Sequence, residues 1–278
     1  LYFLMKDLLS YQIKLKFNVK KKKIICIIQA RMSSSRLPGK SLALINGKTC
    51  IERVVTRVKK SLLLDEVWLA CSTDQTDDVL ESFIKKFNIY CYRGSLNDVL
   101  SRYVSISKIS KPDYIVRITG DCPLIDPIII DDIISKIINT NFDYVSNTID
   151  RTYPDGLDVE VFSHNVLLEA SIKSKSNIMR EHVTPYITGK LGSKFPFGAF
   201  NIKQVKNKID YSSIRLTLDR KEDLKLLNII YKKLEDFCKW QEVISFLIKE
   251  KHLLNINKHI HYNEKTFKLK TKLKYEKS

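Results

Sequence analysis

The sequence predicts an α/β fold with a Rossmann-like, mostly parallel sheet and helices on both of its faces. Apolar runs without alternation at residues 24–28, 67–71 and 114–118 indicate strands that are buried on both sides. Segments with apolar residues at helical spacing separate these runs. Strands that alternate with helices in this way pair in parallel, because each crossover helix returns the chain to the same end of the sheet.

The remaining elements are predicted from the spacing of their apolar residues, which recur at every second position in a half-exposed strand and at helical spacing in an amphipathic helix. Leu157, Val159 and Val161 alternate with polar residues, which predicts a half-exposed strand. Further strands are predicted over residues 89–92, 142–145 and 214–219. Helices are predicted over residues 49–60, 79–87 and 127–138. Three more helices are predicted to begin at Val99, near Glu222 and at Trp240, the last of them ending at about Lys249.

The net charge of +17 is concentrated at the two ends of the chain. Residues 1–23 carry seven Lys and one Asp, and residues 249–278 carry nine Lys and three Glu, so the ends account for +12. The chain therefore divides into a basic N-terminal extension (1–23), one domain (24–248) and a basic C-terminal tail (249–278). A nucleic-acid surface is disfavoured, because it would place Arg and aromatic residues in a stripe across the fold.

Composition also bounds the cellular setting. No apolar run approaches the roughly eighteen residues of a membrane span, and Leu1 to Leu4 is too short for the core of a signal peptide. The six cysteines include no C-x-x-C pair, which favours free thiols in a reducing compartment over disulfides or a zinc site. We expect a cytoplasmic protein.

The segment between the first strand and the first helix is rich in small and basic residues. Ala30 and Ser33 to Ser35 would let backbone N–H groups approach an anion, and Arg31, Arg36 and Lys40 would supply charged donors. This pattern predicts a phosphate-binding loop, although it has the glycine spacing of neither a Walker loop nor a dinucleotide fingerprint. The alternative is a surface loop with chance basic residues.

Residues 29–40, which read QARMSSSRLPGK, resemble the signature loop of the cytidylyltransferases that activate acidic sugars, the CMP-sugar synthetases. The Met-Ser-Ser-Ser-Arg version is most similar to the spore-coat polysaccharide protein F branch. The resemblance covers roughly residues 24–235 and implies the nucleotide-diphospho-sugar transferase type of fold. It also implies the reaction, in which a hydroxyl of an acidic sugar attacks the α-phosphorus of CTP and pyrophosphate leaves, with Mg²⁺ as cofactor.

Two aspartates are candidate metal ligands. Asp121 follows a glycine at the end of a predicted strand, and Asp219 ends the strand predicted over residues 214–219. From the residues alone, a capping role explains both aspartates as well as a metal role does. Asp121 would cap the next turn, and Asp219 would be a helix N-cap. The resemblance favours the metal role for both, since it matches the Gly-Asp-x-Pro-Leu-Ile and Asp-x-x-Glu-Asp-Leu patterns of the family. Oxygen ligands of this kind suit Mg²⁺.

The nucleotide site is predicted at the carboxyl ends of the first strands, at a switch in strand order. Arg31, Lys40 and Asp121 are the expected catalytic residues, of which the two cations would neutralise charge on the triphosphate. The expected nucleotide-binding residues are Ala30, Arg31, Ser35, Arg36, Lys40, Ser72, Thr73, Asp74 and Ser95.

The sugar pocket is predicted farther along the chain, where the segment over residues 147–160 turns polar. The resemblance implies that this segment and the Arg-Glu-His sequence at residues 180–182 surround the acceptor. His182 has an equally good structural interpretation, and Arg180 and Glu181 have an alternative role in a homodimer contact. The expected substrate-binding residues are Tyr153, Asp158, Glu160, Arg180, Glu181 and His182.

Two other functions fit the same residues. A sugar-1-phosphate nucleotidylyltransferase would use the same fold with a phosphate as nucleophile. A non-catalytic nucleotide-binding protein would use its basic ends to dock on an anionic surface. The partners expected for the preferred interpretation are CTP, a small acidic sugar and a second copy of the chain.

Overall fold

The structure is a computed structural model that describes residues 22–189 and 200–260. Its centre is a seven-stranded sheet with the strand order β5-β4-β1-β6-β8-β7-β9. The strands are β1 (Ile24–Gln29), β4 (Glu66–Ser72), β5 (Tyr90–Gly94), β6 (Tyr114–Thr119), β7 (Tyr144–Ser146), β8 (Glu160–Ser163) and β9 (Ile202–Gln204); β2 (Leu44–Ile45) and β3 (Lys48–Thr49) form a separate hairpin.

Helices pack on both faces of this sheet, as the sequence predicts. They are α1 (Cys50–Val58), α2 (Asp78–Ile84), α3 (Val99–Ser110), α4 (Pro127–Ser135), α5 (His164–Lys173), α6 (Asn177–His182), α7 (Pro185–Thr188), α8 (Lys221–Lys233) and α9 (Trp240–Lys249). Short 3-10 turns lie at Lys40–Leu42, Gln75–Asp77, Lys85–Phe87 and Lys251–Ile256.

Strand β1 explains why the fold has two cores. Its side chains alternate between the faces, so Cys26 and Ile28 join one apolar cluster while Ile25 and Ile27 join the other. Helices α1, α4, α8 and α9 contribute to the first cluster, and helices α3 and α5 contribute to the second. A strand covered on both faces needs a continuous apolar run, which is what residues 24–28 provide.

The strand order also locates a ligand site. Strands β5, β4, β1 and β6 are parallel, and the chain passes from one side of β1 to the other between β5 and β6. The crevice at such a switch lies outside the carboxyl ends of β1 and β6. Strand β8 runs antiparallel to β6 with Glu160 opposite Arg117, so the start of β8 lies at the same edge.

Two predicted strands differ from the structure. Residues 214–219 form an extended segment that makes one isolated bridge, Asp155 with Arg215, and is held by the bond from Leu218 N to Asp121 O at 2.7 Å. Leu157 and Val159 are fully buried, as the apolar face of the predicted strand should be, but Glu160 on the other face is also buried, because β8 lies inside the sheet between β6 and β7. The alternation there reflects two covered faces of different polarity, and the prediction of a half-exposed strand was wrong.

The two basic ends are partly described. Lys23 N donates to Asp113 Oδ2 at 2.8 Å, which anchors the end of the N-terminal extension, while residues 1–21 lie outside the described residues. Leu253 and Ile260 are buried, and Asn257 Nδ2 donates to Asp223 Oδ1 at 2.9 Å. Residues 251–260 therefore pack on the fold although the sequence predicted a tail from residue 249; residues 261–278 lie outside the description.

Within the described ranges, no helix has the length and apolar character that crossing a membrane requires.

Candidate active site

A cavity of about 1240 Å³ opens at the carboxyl ends of β1 and β6. Its wall is built from the loop after β1, the turn after β6, the start of α3, the segment before β8, the end of α6 with α7, and the segment before α8. The site is therefore assembled from parts of the chain that lie far apart in sequence.

The basic loop after β1 is held by backbone and carboxylate contacts. Ala30 N donates to Ala70 O at 3.2 Å, and Met32 N donates to Asp77 Oδ1 at 2.7 Å. The other oxygen of Asp77 accepts from both the N–H and the hydroxyl of Ser72 at the end of β4. Gly39 closes the loop in the left-handed region, with φ of 73°. Because Asp77 is fully buried, it fixes the loop against the sheet.

Gly120 brings the turn after β6 against this loop. A Cβ on Gly120 would lie 2.7 Å from the Cβ of Ala30 and 3.1 Å from Gln29 O, so a side chain there would push the two segments apart. Gly120 N also donates to Gln29 O at 2.8 Å. The next residue, Asp121, is in this way placed beside the basic loop.

Lys40 joins two carboxylates at the centre of the cavity wall. Its Nζ lies 2.6 Å from Asp121 Oδ2 and 3.0 Å from Asp219 Oδ1, and Arg36 also pairs with Asp219. Burial alone would raise the pKa of Asp121, but the Lys40 charge and its hydrogen bond outweigh burial and lower this pKa to about 2. Burial lowers the pKa of Lys40, whereas the two carboxylates raise it, and the net pKa lies above the usual lysine value.

The same two carboxylates fit a Mg²⁺ ion. Within the part of the chain that the structure describes, no group of three or more acidic, His or Cys side chains is arranged to hold a metal. Asp121 and Asp219 alone would leave most ligand positions to water and substrate phosphates, which is the usual arrangement for Mg²⁺. The backbone of Asp219 is fixed in place, since its N–H donates to Asp223 Oδ2 at 3.0 Å.

A buried network forms the wall at β6 and β8. Glu160 pairs with Arg117 and accepts from the Tyr144 hydroxyl at 2.5 Å and the Thr184 hydroxyl at 2.8 Å. Burial would raise the pKa of Glu160, but the Arg117 charge and the hydroxyl donors lower it below the usual value. Arg117 Nε also donates to Gln29 Oε1 at 3.1 Å. Every oxygen of Glu160 is thus engaged inside the protein, so the network positions the wall.

A second ionic cluster lines the cavity beside Asp219, which lies 3.8 Å from Arg215. Arg215 pairs with Asp155 at 2.8 Å and with Asp223 at 3.0 Å, and Arg151 pairs with Asp158. Burial and the negative charge of Asp158 raise the pKa of Asp155 to about 7, even with the two arginines nearby. Asp155 therefore carries its proton more readily than an ordinary aspartate does.

The model of the family described as cytidylyltransferase matches residues 25–262. The chain belongs to the cytidylyltransferase family.

Individual relatives agree with this family. The chain is 34% identical over 215 residues to the spore coat polysaccharide biosynthesis protein SpsF of Bacillus subtilis, covering 76% of this chain and 87% of that protein. It is 38% identical over 114 residues to the 8-amino-3,8-dideoxy-manno-octulosonate cytidylyltransferase of Shewanella frigidimarina, covering 41% and 46%. A solved structure of a cytidylyltransferase from Leptospira borgpetersenii matches with a TM-score of 0.79 and 30% identity, covering 87% and 100%.

The protein is thus a nucleotidyltransferase with the fold that the sequence predicted, the mostly parallel sheet of the nucleotide-diphospho-sugar transferases. The resemblance read from residues 29–40 to the acidic-sugar cytidylyltransferases is confirmed.

Eleven of the predicted site residues of this cytidylyltransferase lie together on the cavity wall. They share one edge of the sheet because the switch in strand order collects the segments that carry them. Arg31, in addition, pairs with Glu181 at 3.3 Å. The eleven are Ala30, Arg31, Ser35, Arg36, Lys40, Asp121, Asp158, Glu160, Glu181, His182 and Asp219.

Four predicted nucleotide-binding residues have other partners. Ser72 is buried on Asp77, and Asp74 accepts from Thr76 N at 2.9 Å as the cap of a 3-10 turn. Thr73 N donates to Gly94 O at 2.8 Å, and Ser95 Oγ accepts from Asp98 N at 3.1 Å. They were predicted at the site because they follow strands, and they are not among the residues that line the cavity, although the start of α3 after β5 does line it.

Two predicted substrate-binding residues also lie away from the wall. Tyr153 packs on Trp240 with ring centroids 5.5 Å apart. Arg180 pairs with Asp98 at 2.7 Å and donates to Ser171 O and Ser174 O. In the structure, Tyr153 belongs to the core and Arg180 joins α6 to the start of α3.

The cavity wall also contains charged residues that the sequence analysis missed. Arg117 interrupts the otherwise apolar strand β6, and a charge within a buried strand was a usable signal. Asp155 lies in a Pro-Asp-Gly sequence that is typical of a turn, so nothing in the sequence indicated that it lines the cavity. Arg215 and Arg102 gave no signal, because their spacing on the chain does not reveal what they face.

Proposed function

We propose that this cytidylyltransferase transfers CMP from CTP to the hydroxyl of an acidic sugar and releases pyrophosphate. The main observation in support is that Asp121 and Asp219 both pair with Lys40. Lys40 Nζ lies 2.6 Å from Asp121 Oδ2 and 3.0 Å from Asp219 Oδ1. Two carboxylates beside an ammonium of a basic loop make a site for a metal-bound triphosphate. The relatives named for polysaccharide biosynthesis and for an octulosonate support the acidic sugar.

The chemistry is an in-line displacement at phosphorus. The acceptor oxygen forms a bond to the α-phosphorus of CTP, the bond to the bridging oxygen of the β-phosphate breaks, and the acceptor proton goes to water or base. Arg31, Arg36 and Lys40 neutralise charge on the triphosphate oxygens and keep it aligned. The protein contributes chiefly position and electrostatic stabilisation.

Asp121 and Asp219 would hold a divalent cation, for which we propose Mg²⁺. The lowered pKa keeps Asp121 ionised at any physiological pH, as a metal ligand requires. When bound, the ion supplies Lewis-acid polarisation of the α-phosphate and makes the acceptor hydroxyl more acidic. Lys40, which pairs with both carboxylates in this structure, would then be available to pair with phosphate oxygens.

We place the acceptor beside the segment before β8 and the end of α6. Asp158, Glu181 and His182 line the cavity, as do Arg151 and Arg215. Cations there suit the carboxylate of a sugar acid, and carboxylates suit its hydroxyl groups.

We place the enzyme in the cytoplasm and expect it to act as a homodimer. The free thiols of all six cysteines, five of them buried, suit a reducing compartment. The dimer rests on the family resemblance, and sedimentation of the full chain tests it.

Pyrophosphate release tests the proposed reaction. The full chain is assayed with Mg²⁺ and each of the four nucleoside triphosphates, against a panel of octulosonic and nonulosonic acids and of sugar 1-phosphates. The proposal predicts release only with CTP and a sugar acid, and its loss in Asp121→Asn. Release with a sugar phosphate would establish the sugar-1-phosphate nucleotidylyltransferase instead, and CTP binding without turnover on any acceptor would favour a nucleotide-binding role.

A further inference from the structure

The segment that carries Asp219 lies outside the sheet. Residues 214–219 make one isolated bridge, to the segment before β8, and Leu218 N donates to Asp121 O at 2.7 Å. A strand within a sheet is fixed by a ladder of backbone bonds. Within the described ranges this segment belongs to no sheet, so the place of the Asp219 carboxylate depends on the side chains that hold its backbone.

Asp223 is one of these side chains. It is fully buried near the start of α8, and its Oδ2 accepts from the backbone N–H groups of Asp219 at 3.0 Å and Arg220 at 2.9 Å. Arg215 donates to both oxygens, from Nε at 3.0 Å and from Nη2 at 3.2 Å. One carboxylate thus joins the start of the helix, the backbone of Asp219 and the side chain of Arg215.

Asn257 holds this arrangement from a part of the chain that follows the last helix. It is 3% exposed, and its Nδ2 donates to Asp223 Oδ1 at 2.9 Å and to Arg215 O at 3.1 Å. Carbonyl and carboxylate oxygens only accept, so the nitrogen of the amide, and not its oxygen, faces them. Asn257 is therefore bonded both to the carboxylate that fixes Asp219 and to the backbone four residues before Asp219.

The C-terminal segment has apolar anchors besides this amide. Leu253 and Ile260 are buried in the same segment, and Ile260 also lines the cavity. Apolar side chains gain free energy when they are buried, whereas a buried amide only offsets the cost of leaving water through the bonds that it makes. The contribution of Asn257 is thus direction, because its two bonds fix where Asp223 and Arg215 lie.

We propose that Asn257 is a positioning residue for the metal site, because it holds Asp223, and through it the backbone of Asp219, in place for a divalent cation. This inference rests on the proposed function, which takes Asp219 as a metal ligand. Asn257 acts only through Asp223 and Arg215. Removing a group that orients a metal ligand in this way typically lowers metal affinity or activity by about tenfold to hundredfold.

Calorimetric binding of CTP to the full chain, once with Mg²⁺ and once with EDTA, tests this role. The ratio of the two affinities measures what the metal contributes. Asn257→Leu replaces the amide by an apolar group of similar size, and we expect it to lower this ratio about tenfold while the affinity in EDTA stays unchanged. A higher Mg²⁺ concentration should recover the affinity, because only metal binding is weakened. Asn257→Ala, which leaves no group to clash with Arg215 or Asp223, should show the same loss.

Leu253→Ala is the matched control, since Leu253 lies in the same segment and contributes a buried apolar side chain. Thermal melting should show that Leu253→Ala and Asn257→Leu both lose stability, the first through lost packing and the second through lost hydrogen bonds. Only the asparagine variants should lose the ratio of affinities.

The outcomes separate this inference from the proposed function. A lower melting temperature for Asn257→Leu with the ratio of the wild type would make Asn257 a structural residue and overturn the inference, as would an equal loss of the ratio in Leu253→Ala. A wild type that binds CTP equally well with Mg²⁺ and with EDTA would overturn the metal site of the proposed function as well. A wild type without affinity for CTP would overturn the proposed function itself.

Discussion

Replacing Asp121 by Asn tests the electrostatic account of the carboxylate pair in the metal-free protein. The Lys40 ammonium lies 2.6 Å from Asp121, and the pKa of this aspartate falls from the ordinary 3.8 to about 2. Each pKa unit corresponds to about 1.4 kcal/mol. The ionised Asp121 therefore contributes at most about 2 kcal/mol to the free energy of unfolding at pH 7, since a quarter of its side chain is exposed.

The sign of the pH dependence follows from the direction of this shift. A carboxyl group with a lowered pKa in the folded state stabilises the protein above the unfolded pKa and loses that effect as the pH falls toward the folded pKa. The difference between wild type and Asp121→Asn should be fully present at pH 7, about half as large at pH 3, and nearly absent at pH 2.

Urea denaturation in the presence of EDTA measures the effect. Lys40→Met should lower the free energy of unfolding by a similar amount. The double variant should lower it by less than the sum of the two single variants, because each single variant already removes the same ion pair. Asp132→Asn is the control, since Asp132 pairs with Lys136 on the exposed side of α4 and such pairs contribute little. Equal unfolding free energies for wild type and Asp121→Asn at pH 7 would refute the reasoning, as would a difference that stays constant down to pH 2.

Three further perturbations follow from the site. Gly120→Ala should lower kcat/KM about tenfold or more, because its Cβ would lie 2.7 Å from that of Ala30 and would separate the loops; steady-state kinetics check this, and an unchanged value would contradict it. Asp155→Asn should stabilise the protein at pH 8 and not at pH 4, because a pKa raised to about 7 means that ionising Asp155 opposes folding as the pH rises; urea titrations at both values decide. Glu160→Gln should cost about 3 to 5 kcal/mol of unfolding free energy, because it leaves Arg117 buried without its carboxylate; a loss under about 1 kcal/mol in the same titrations would show that the pair is not needed.

The sequence by itself determined the fold class and predicted eleven of the residues that line the cavity. Apolar runs without alternation predicted β1, β4 and β6, because a strand buried on both faces has no place for polar side chains. The loop over residues 29–40 was predicted because its small and basic residues are contiguous. Patterns formed by neighbouring residues can be recognised from the sequence alone.

Tertiary structure alone decided which polar residues meet. Ser72 and Asp121 both follow strands, yet only Asp121 lies on the cavity wall, because the order of β4, β1 and β6 is set by long-range packing. The pairing of Lys40 with Asp219 likewise joins segments far apart on the chain.

Burial was the other property that the linear sequence did not carry. Arg102 and Arg57 both lie on predicted helices, and both are 2% exposed. The structure separates them, because Arg57 donates to three backbone carbonyls, while Arg102 lines the cavity and donates to one, Ala70 O. The partners of a side chain depend on what the fold brings within hydrogen-bond distance, and its position in the sequence does not fix them.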